Sequence, residues 1–422
     1  VIADAENAAD WGVSFQKPDI DLPALRKRKQ ETIDTLTTGL KQLSSRRNVR
    51  LIQAVAKFKD SQSLRLESMG TETLEDEVLH FEHCILATGS SPKVIPTLQL
   101  RSARIMNSTG ALQLVDVPES MLVVGGGYIG LEMATAYAAF GTKVSLAELT
   151  DSLLPGVDRN LVKPMRKRLE KKLRAIHLNT KVVEVEKSND SIEVHFECPD
   201  KNAECDATVQ RFSKVLVCVG RRPNSNNLGL ENTKVPLDDH GFVKTDDAQR
   251  TTDEHVFAVG DVAGDPMLAH KAAHQGKVAV DFLAGNHATF TPKAIPAVVF
   301  TDPEIAWAGL TETDAKKQSR KVQVAQFPWL ASGRAQTIGR TEGLTKWLID
   351  PETQSVIGCG IVGPGAGDLI GEAVLAIEAG IKVDEIAKTI HPHPTFTETL
   401  GSAAEVHLGL ATDIYKPKPS RS

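Results

Sequence analysis

The sequence predicts an α/β protein with two parallel sheets of the doubly wound kind, followed by a C-terminal α+β domain. Three observations carry this. First, an apolar strand at 121–124 runs into Gly125, Gly126, Gly127, Tyr128, Ile129 and Gly130, then a small-residue helix over 131–140, then a strand at 144–147 that ends in Glu148. Second, the runs HCILATG at 83–89 and VFAVGD at 256–261 are unbroken hydrophobic stretches closed by small or acidic residues, as in strands buried on both faces. Third, the texture changes at Pro296: strands are expected at 296–309, 321–329, 344–350 and 354–362, and helices at 368–379 and 383–390. Strands followed by helices indicate an α+β domain.

Composition narrows the class. A chain of 422 residues is too long for one ordinary core, so about three domains are expected. The formal net charge of −5 gives no electrostatic footprint for nucleic acid or an anionic membrane. No apolar run reaches the ~18 residues of a membrane span. The opening VIADAENAAD is not a signal-peptide pattern and reads as if it began within a helix. Of the five cysteines, Cys84 and Cys218 lie in apolar runs, Cys198 and Cys205 flank a polar loop, and Cys359 stands alone. This scattered usage suits a reducing compartment.

In chain order, Leu22, Leu25, Leu36, Leu40 and Leu43 are spaced mostly for one face of a helix over 22–45. Short strands are expected at 49–55, 63–67 and 78–81. Gly89 ends the next strand and lets backbone approach a ligand. In the glycine motif each residue has a task. Gly125 makes the tight turn, Gly127 lets backbone reach a pyrophosphate, and Gly130 lets helix pack on strand. The helix N-terminus attracts the phosphates, and Glu148 can bond both ribose hydroxyls. An acid there repels a 2′-phosphate, so NAD is expected over NADP.

The basic helix at 158–175 reads as a solvated face. Strands follow at 181–186, 191–197 and 214–220, the last ending in VCVGRRPN. Asp261, closing VFAVGD, can bond cofactor hydroxyls from a crevice at the sheet edge. His270 and His274 are four apart on an expected helix at 272–283 and its approach, but with no HExxH and no third ligand a metal is not expected. Residues 416–422 form a polar tail.

The stretch 391–398 is His-Pro-His-Pro-Thr-Phe-Thr-Glu. A glutamate accepting from one ring nitrogen of His393 would orient the imidazole and stabilise its cation, freeing the other nitrogen to take a proton. Thr395 and Glu398 also have capping-box spacing, with an apolar run after them. Taken with the glycine motif, HPTxxE near the C-terminus resembles the His-Glu pair of the flavin-dependent pyridine nucleotide-disulphide oxidoreductases, and His-x-His-Pro-Thr is most similar to the dihydrolipoyl dehydrogenase group.

That resemblance covers nearly the whole chain. It implies a homodimer with an FAD domain at 1–108, an NAD domain at 109–229, a central segment at 230–293 that returns to FAD, and an interface domain at 294–422. By motif match, Ala56, Thr88, Gly89, Asp261, Leu268 and Ala269 would touch FAD. Gly125, Gly126, Gly127, Tyr128, Ile129, Gly130, Glu148, Val182, Gly220 and Arg221 would touch NAD. His393 and Glu398 would be the acid–base pair, acting in the partner subunit's site. Glu132 matches a family glutamate that pairs with a flavin-side lysine. The implied reaction oxidises protein-bound dihydrolipoamide through a redox disulphide and FAD to NAD, with lipoyl domains of 2-oxo acid dehydrogenase complexes as partners. A cytoplasmic location is implied, or a mitochondrial matrix or plastid.

The sequence departs from the family at its start. The family opens with its own GxGxxG unit for FAD, then a Cys-x4-Cys disulphide, then that lysine, and residues 1–15 resemble the segment after the disulphide. The chain is therefore expected to be a family member without that opening segment. A polypeptide of these residues alone is expected to bind FAD poorly and to lack dihydrolipoamide:NAD activity. Glutathione- or mercuric-reductase-like activity is a second reading. Glu148 disfavours the NADP-dependent former, and the tail lacks the paired cysteines of the latter. A non-catalytic dinucleotide-binding relative is a third.

Overall fold

The computed structural model describes residues 1–69, 77–197 and 209–414. Cys198, Cys205 and the 416–422 tail lie outside them. The chain divides into two compact units, one of Val1–Ile20, Val94–Val219 and Pro292–Ser422, the other of Asp21–Lys93 and Gly220–Thr291.

The first unit holds a five-stranded parallel sheet in the order Ile105–Met106, Lys214–Val217, Ser120–Val124, Lys143–Ala147, Ala175–His177. Met121, Leu122 and Val123 of its central strand are fully buried, which explains the unbroken apolar run. The following helix spans Tyr128–Ala139, starting three residues before the expected 131. The turn uses the glycines only as far as Gly127, so Tyr128 takes the first helical position. Leu131, Ala134 and Tyr137 of this helix share a core with Leu161, Met165 and Leu169 of the helix Arg159–Lys172. The basic face of the latter is partly ion-paired, Arg166 with Glu170 and Arg168 with Asp302. An antiparallel meander of Lys181–Ser188, Ser191–Glu197 and Val209–Phe212 belongs to the same unit.

Its C-terminal part is a five-stranded antiparallel sheet, ordered Ala297–Val299, Ile305–Gly309, Val356–Val362, Leu344–Ile349, Gln323–Pro328. The expected single strand at 296–309 is two strands of a hairpin. The helices Ala366–Ala379 and Glu398–Leu408 share one core with this sheet. Trp329 is wholly buried there. A Cβ at Gly343 or Gly363 would come within 2.3 or 2.2 Å of its indole, so both positions require glycine for close approach. The indole N–H donates to Thr345 Oγ1 at 2.9 Å, satisfying the polar end of a buried aromatic.

The second unit contains the helix Leu22–Arg46, N-capped by Asp21. It has an antiparallel sheet of Ala54–Asp60, Ser63–Ser68 and Val78–His80. The expected strand at 49–55 is thus displaced: pairing begins at Ala54 opposite Ser68. The register is set by the turn at Asp60, whose carboxylate accepts from Gln62 N and Ser63 Oγ and so favours the hairpin. Cys84–Leu86 and Val256–Ala258 pair in parallel, and Ser90–Pro92 pairs antiparallel with Arg221–Pro223. Among the described residues this second parallel sheet is therefore a pair of strands.

Candidate functional site

The glycine turn has the geometry its sequence implies. Gly125 has φ +110°, and a Cβ there would meet Cys218 O at 2.3 Å. A Cβ at Gly130 would meet Gly125 O at 2.1 Å, whereas one at Gly127 would meet nothing within 4 Å. Gly127 therefore faces open space at the start of the helix Tyr128–Ala139, where no side chain caps the N-terminus. Such an end is suited to an anion.

Glu148 is almost fully buried. One carboxylate oxygen accepts from Gly126 N at 2.6 Å, and the other accepts from Thr150 N and Thr150 Oγ1, both at 2.8 Å. The acid is thus tied to the glycine turn. Arg159 donates to the carbonyls of Leu153, Leu154 and Val157 and holds the loop after it. Val182 is buried in the antiparallel meander.

Glu148→Arg is expected to weaken NADH binding by about 10–100-fold, since hydrogen bonds to a charged group contribute roughly 1.5–3 kcal/mol, and to improve NADPH binding. Fluorescence titration with both nucleotides checks this. A melting curve is needed beside it, because Gly126 and Thr150 lose their acceptor. Unchanged NADH affinity would show that another acid holds the ribose.

Gly220 and Arg221, grouped with the glycine turn by sequence, fall in the second unit. Arg221 Nε donates to Ser90 Oγ and Nη2 to Ser90 O, both at 2.7 Å, and Ser90 Oγ donates to Asp261 Oδ2 at 2.5 Å. Thr88 and Asn224 exchange bonds, Thr88 Oγ1 to Asn224 O at 2.8 Å and Asn224 Nδ2 to Thr88 O at 2.9 Å. Gly89 has φ +70° and open space at its Cα. Leu268 and Ala269 start the helix Ala269–Leu283. Lys271 in its first turn is buried and donates to Gly264 O at 2.6 Å. Burial holds its ammonium below the usual lysine range, against the pull of Asp261 and Asp265. Ala56 lies apart, on the strand Ala54–Asp60 of the antiparallel sheet. Ser90 and Lys271 escaped sequence reasoning: a serine after Thr-Gly and a lysine at a helix start carry no signal until partners far along the chain are known.

At the C-terminus, His393 Nδ1 lies 2.9 Å from Glu398 Oε1. A carboxylate only accepts, so Nδ1 carries the hydrogen and Nε2 of the neutral ring is the basic atom. The His393 side chain is 77% exposed, so that atom is open to a reactant. The second oxygen of Glu398 accepts from Thr395 N at 2.7 Å. The expected capping box does not form: the helix Glu398–Leu408 starts at Glu398, after Thr397 and with no side-chain cap, so Glu398 braces the preceding loop and the histidine together.

Glu132 accepts from Phe300 N at 2.9 Å. Burial pushes its carboxyl up, and that N–H partly offsets the rise. Burial also raises the thiols of Cys84, to about 11, and Cys218, to about 12. Neither is therefore a ready thiolate. His270 and His274 do not enter any metal-type group among the described residues. The one such group there, Glu186, Glu193 and His195, has Arg211 on Glu193 at 2.9 Å.

An open glycine turn at an uncapped helix and an acid closing the next strand suit a dinucleotide, and an exposed His-Glu pair suits proton transfer. The chain belongs to the pyridine nucleotide-disulphide oxidoreductases. The family's sequence profile matches residues 3–276, and that of its dimerisation domain matches 295–404. The chain is 42% identical over 418 residues to a dihydrolipoyl dehydrogenase of Vibrio parahaemolyticus, covering 99% of this chain and 86% of that protein. It is 40% identical over 413 residues to one of Haloferax volcanii, covering 97% and 85%. Among solved structures it is similar to an HOCl-induced flavoprotein disulfide reductase, RclA of Escherichia coli, with TM-score 0.81 and 26% identity over 90% of this chain and 84% of that one. LpdA of Mycobacterium tuberculosis shares the fold, with TM-score 0.85 and 24% identity over 96% and 86%.

The protein is thus an NAD-dependent flavoprotein disulphide oxidoreductase by family, with FAD and NAD as cofactors and a homodimerisation domain. The residues present fit NAD: Gly127 leaves open space beside the helix N-terminus, and the Glu148 carboxylate closes the next strand against the glycine turn. For FAD they fit in part. Asp261, Ser90 and the adjoining amides suit a polyol, but a second parallel strand running through GxGxxG into a helix is not found among the described residues. Among those residues, no helix is long and apolar enough to cross a membrane.

Proposed function

We propose that the protein is a dihydrolipoyl dehydrogenase, converting a dihydrolipoyl dithiol and NAD⁺ to the lipoyl disulphide, NADH and a proton. The supporting observation is His393, whose Nδ1 is tied to Glu398 while Nε2 is exposed. His393 Nε2 takes the thiol proton, making the thiolate that is the nucleophile of exchange. Glu398 keeps the ring in the productive tautomer and stabilises its cation. FAD, held at Asp261, would supply the two-electron relay between dithiol and nicotinamide. Glu148 and the glycine turn hold NAD. We assign Ala56, Thr88, Gly89, Leu268 and Ala269 to the FAD side, and Val182, Gly220 and Arg221 to the NAD side, in a four-part chain divided near 108, 229 and 293. Through dimerisation His393 would serve the partner's site, with lipoyl domains of 2-oxo acid dehydrogenase complexes as substrates. A reducing compartment, the cytoplasm first, suits the free thiols Cys84, Cys218 and Cys359.

The test has two parts. The coding sequence upstream of Val1 is read for Cys-x4-Cys, and protein from the complete reading frame is assayed for NAD⁺ reduction by dihydrolipoamide. Faster turnover of NADPH with glutathione disulphide would overturn the proposal.

A further inference from the structure

The loop from Thr389 to Thr397 carries two histidines in opposite settings. His393 is exposed; the side chain of His391 is only 9% exposed. His391 Nε2 lies 2.8 Å from Glu372 Oε1, on the helix Ala366–Ala379. Its ring rests on the helix Glu398–Leu408, where a Cβ at Gly401 would come 3.1 Å from its Nδ1 and 3.3 Å from its Cε1. The far end of the loop is held by Phe396, stacked on Trp329 at 4.4 Å between ring centroids. His393 is suspended between these two anchors.

We infer that His391 and Glu372 are a positioning pair for His393. The inference rests on the base role proposed above for His393. Pro392 and Pro394 flank His393 and each fixes one backbone torsion. The segment between the anchors therefore moves as a unit, and a displacement at His391 is passed to His393 instead of being absorbed. The Glu372 side chain is 39% exposed and holds the His391 ring from the solvent side, so the bond's value lies in direction. The bond to Glu372 fixes one rotation of the His391 ring, and Gly401 fixes its depth. Together they set the level at which His393 Nδ1 meets Glu398.

The experiment reads the His393 tautomer by ¹⁵N NMR of histidine-labelled protein, beside dihydrolipoamide and NADH–dye kinetics of protein fused to a family-like N-terminal segment that carries the redox disulphide. The variants are His391→Ala, Glu372→Ala, His391→Gln and Gly401→Ala, with Glu398→Gln and His393→Gln as references. In the parent the Nδ1–H form of His393 dominates. His391→Ala and Glu372→Ala are expected to move it toward the mixture of a free imidazole. They should lower kcat roughly 10–100-fold, the scale of a misplaced catalytic group, with KM and NADH–dye activity little changed. His391→Gln, whose amide can still donate to Glu372, should restore much of both. Gly401→Ala pushes the ring outward while keeping a good helix former, and should shift the tautomer in the same direction.

An unchanged His393 tautomer and kcat in folded His391→Ala would overturn the inference. Should that variant not fold, the same result in both Glu372→Ala and Gly401→Ala would do so. Full dihydrolipoamide kcat in His393→Gln would instead overturn the base role of His393, so the two failures are distinct.

Discussion

In protein fused to a family-like N-terminal segment that carries the redox disulphide, replacing His393 by Gln is expected to slow the thiol half-reaction by about 10²–10⁴-fold, the range for loss of a general base, and to leave NADH–dye electron exchange at its normal rate. Thiol attack requires removal of a proton from a weakly acidic group. Hydride transfer between nicotinamide and flavin is cofactor chemistry that needs no such base. Glu398→Gln should cost less, because the amide oxygen can still accept from the ring and only the stabilising charge is gone. Part of its effect will be on stability: Glu398 also accepts from Thr395 N, and weakening a hydrogen bond to a charged group costs about 1 kcal/mol. A melting curve separates the two contributions. Full dihydrolipoamide activity in His393→Gln, with normal NADH–dye activity, would leave the stretch 391–398 as a braced turn only.

Asp158→Ala is expected to be strongly destabilising, by about 3 kcal/mol, since it takes from a buried ammonium the more buried of its two acid partners and leaves only Glu312. Lys346 is 1% exposed. It donates to Asp158, to Asn160 Oδ1 at 3.0 Å and to Glu312 Oε1 at 2.7 Å. Asp158 in turn accepts from Glu312 N, Thr313 N and Thr313 Oγ1. The pair joins the helix Arg159–Lys172 to the strand Leu344–Ile349. Replacing Asp158 and Lys346 together by apolar residues of similar size should cost much less than Asp158→Ala alone.

The network also predicts a pH dependence. Burial by itself raises the Asp158 carboxyl, but the Lys346 bond and charge and the two backbone donors outweigh it and hold the group below its ordinary value. With the folded value below the unfolded one, the stabilisation is complete above the ordinary carboxylate range and is lost as pH falls through the folded value. Urea denaturation at neutral pH and at steps below pH ~4 should therefore show a smaller acid-side loss in the double variant than in the parent.

What could be read in the sequence was mostly local. The glycine motif, its helix and Glu148 are close in the chain, and one backbone geometry demands their residue types. The His393–Glu398 pair was legible for the same reason, five residues apart across a loop stiffened by prolines. The helix Leu22–Arg46 was legible from leucine spacing. The strand placed at 49–55 was not, because its register is decided by the Asp60 hairpin and by pairing with Ser63–Ser68. Helices as short as Glu312–Lys317 and Gly333–Thr337 carry too few residues to show a period. Arg221–Ser90–Asp261, His391–Glu372 and Lys346–Asp158 were beyond reach, since each joins residues that only the folded chain brings together. Arg221 was singled out by motif alone, and its hydrogen bonds to Ser90, and through it to Asp261, add what the motif could not say.

The seating of Trp329 makes the protein its own optical gauge. With Gly343 and Gly363 both pressed against its rings and its N–H tied to Thr345, the indole cannot follow its neighbours. Phe396, stacked on it, belongs to the segment that carries His393. Any shift of that segment changes the ring overlap against a fixed chromophore. Near-ultraviolet dichroism of Trp329, one of four tryptophans and isolable by conservative replacement of the other three, can therefore follow the loop in solution without a label.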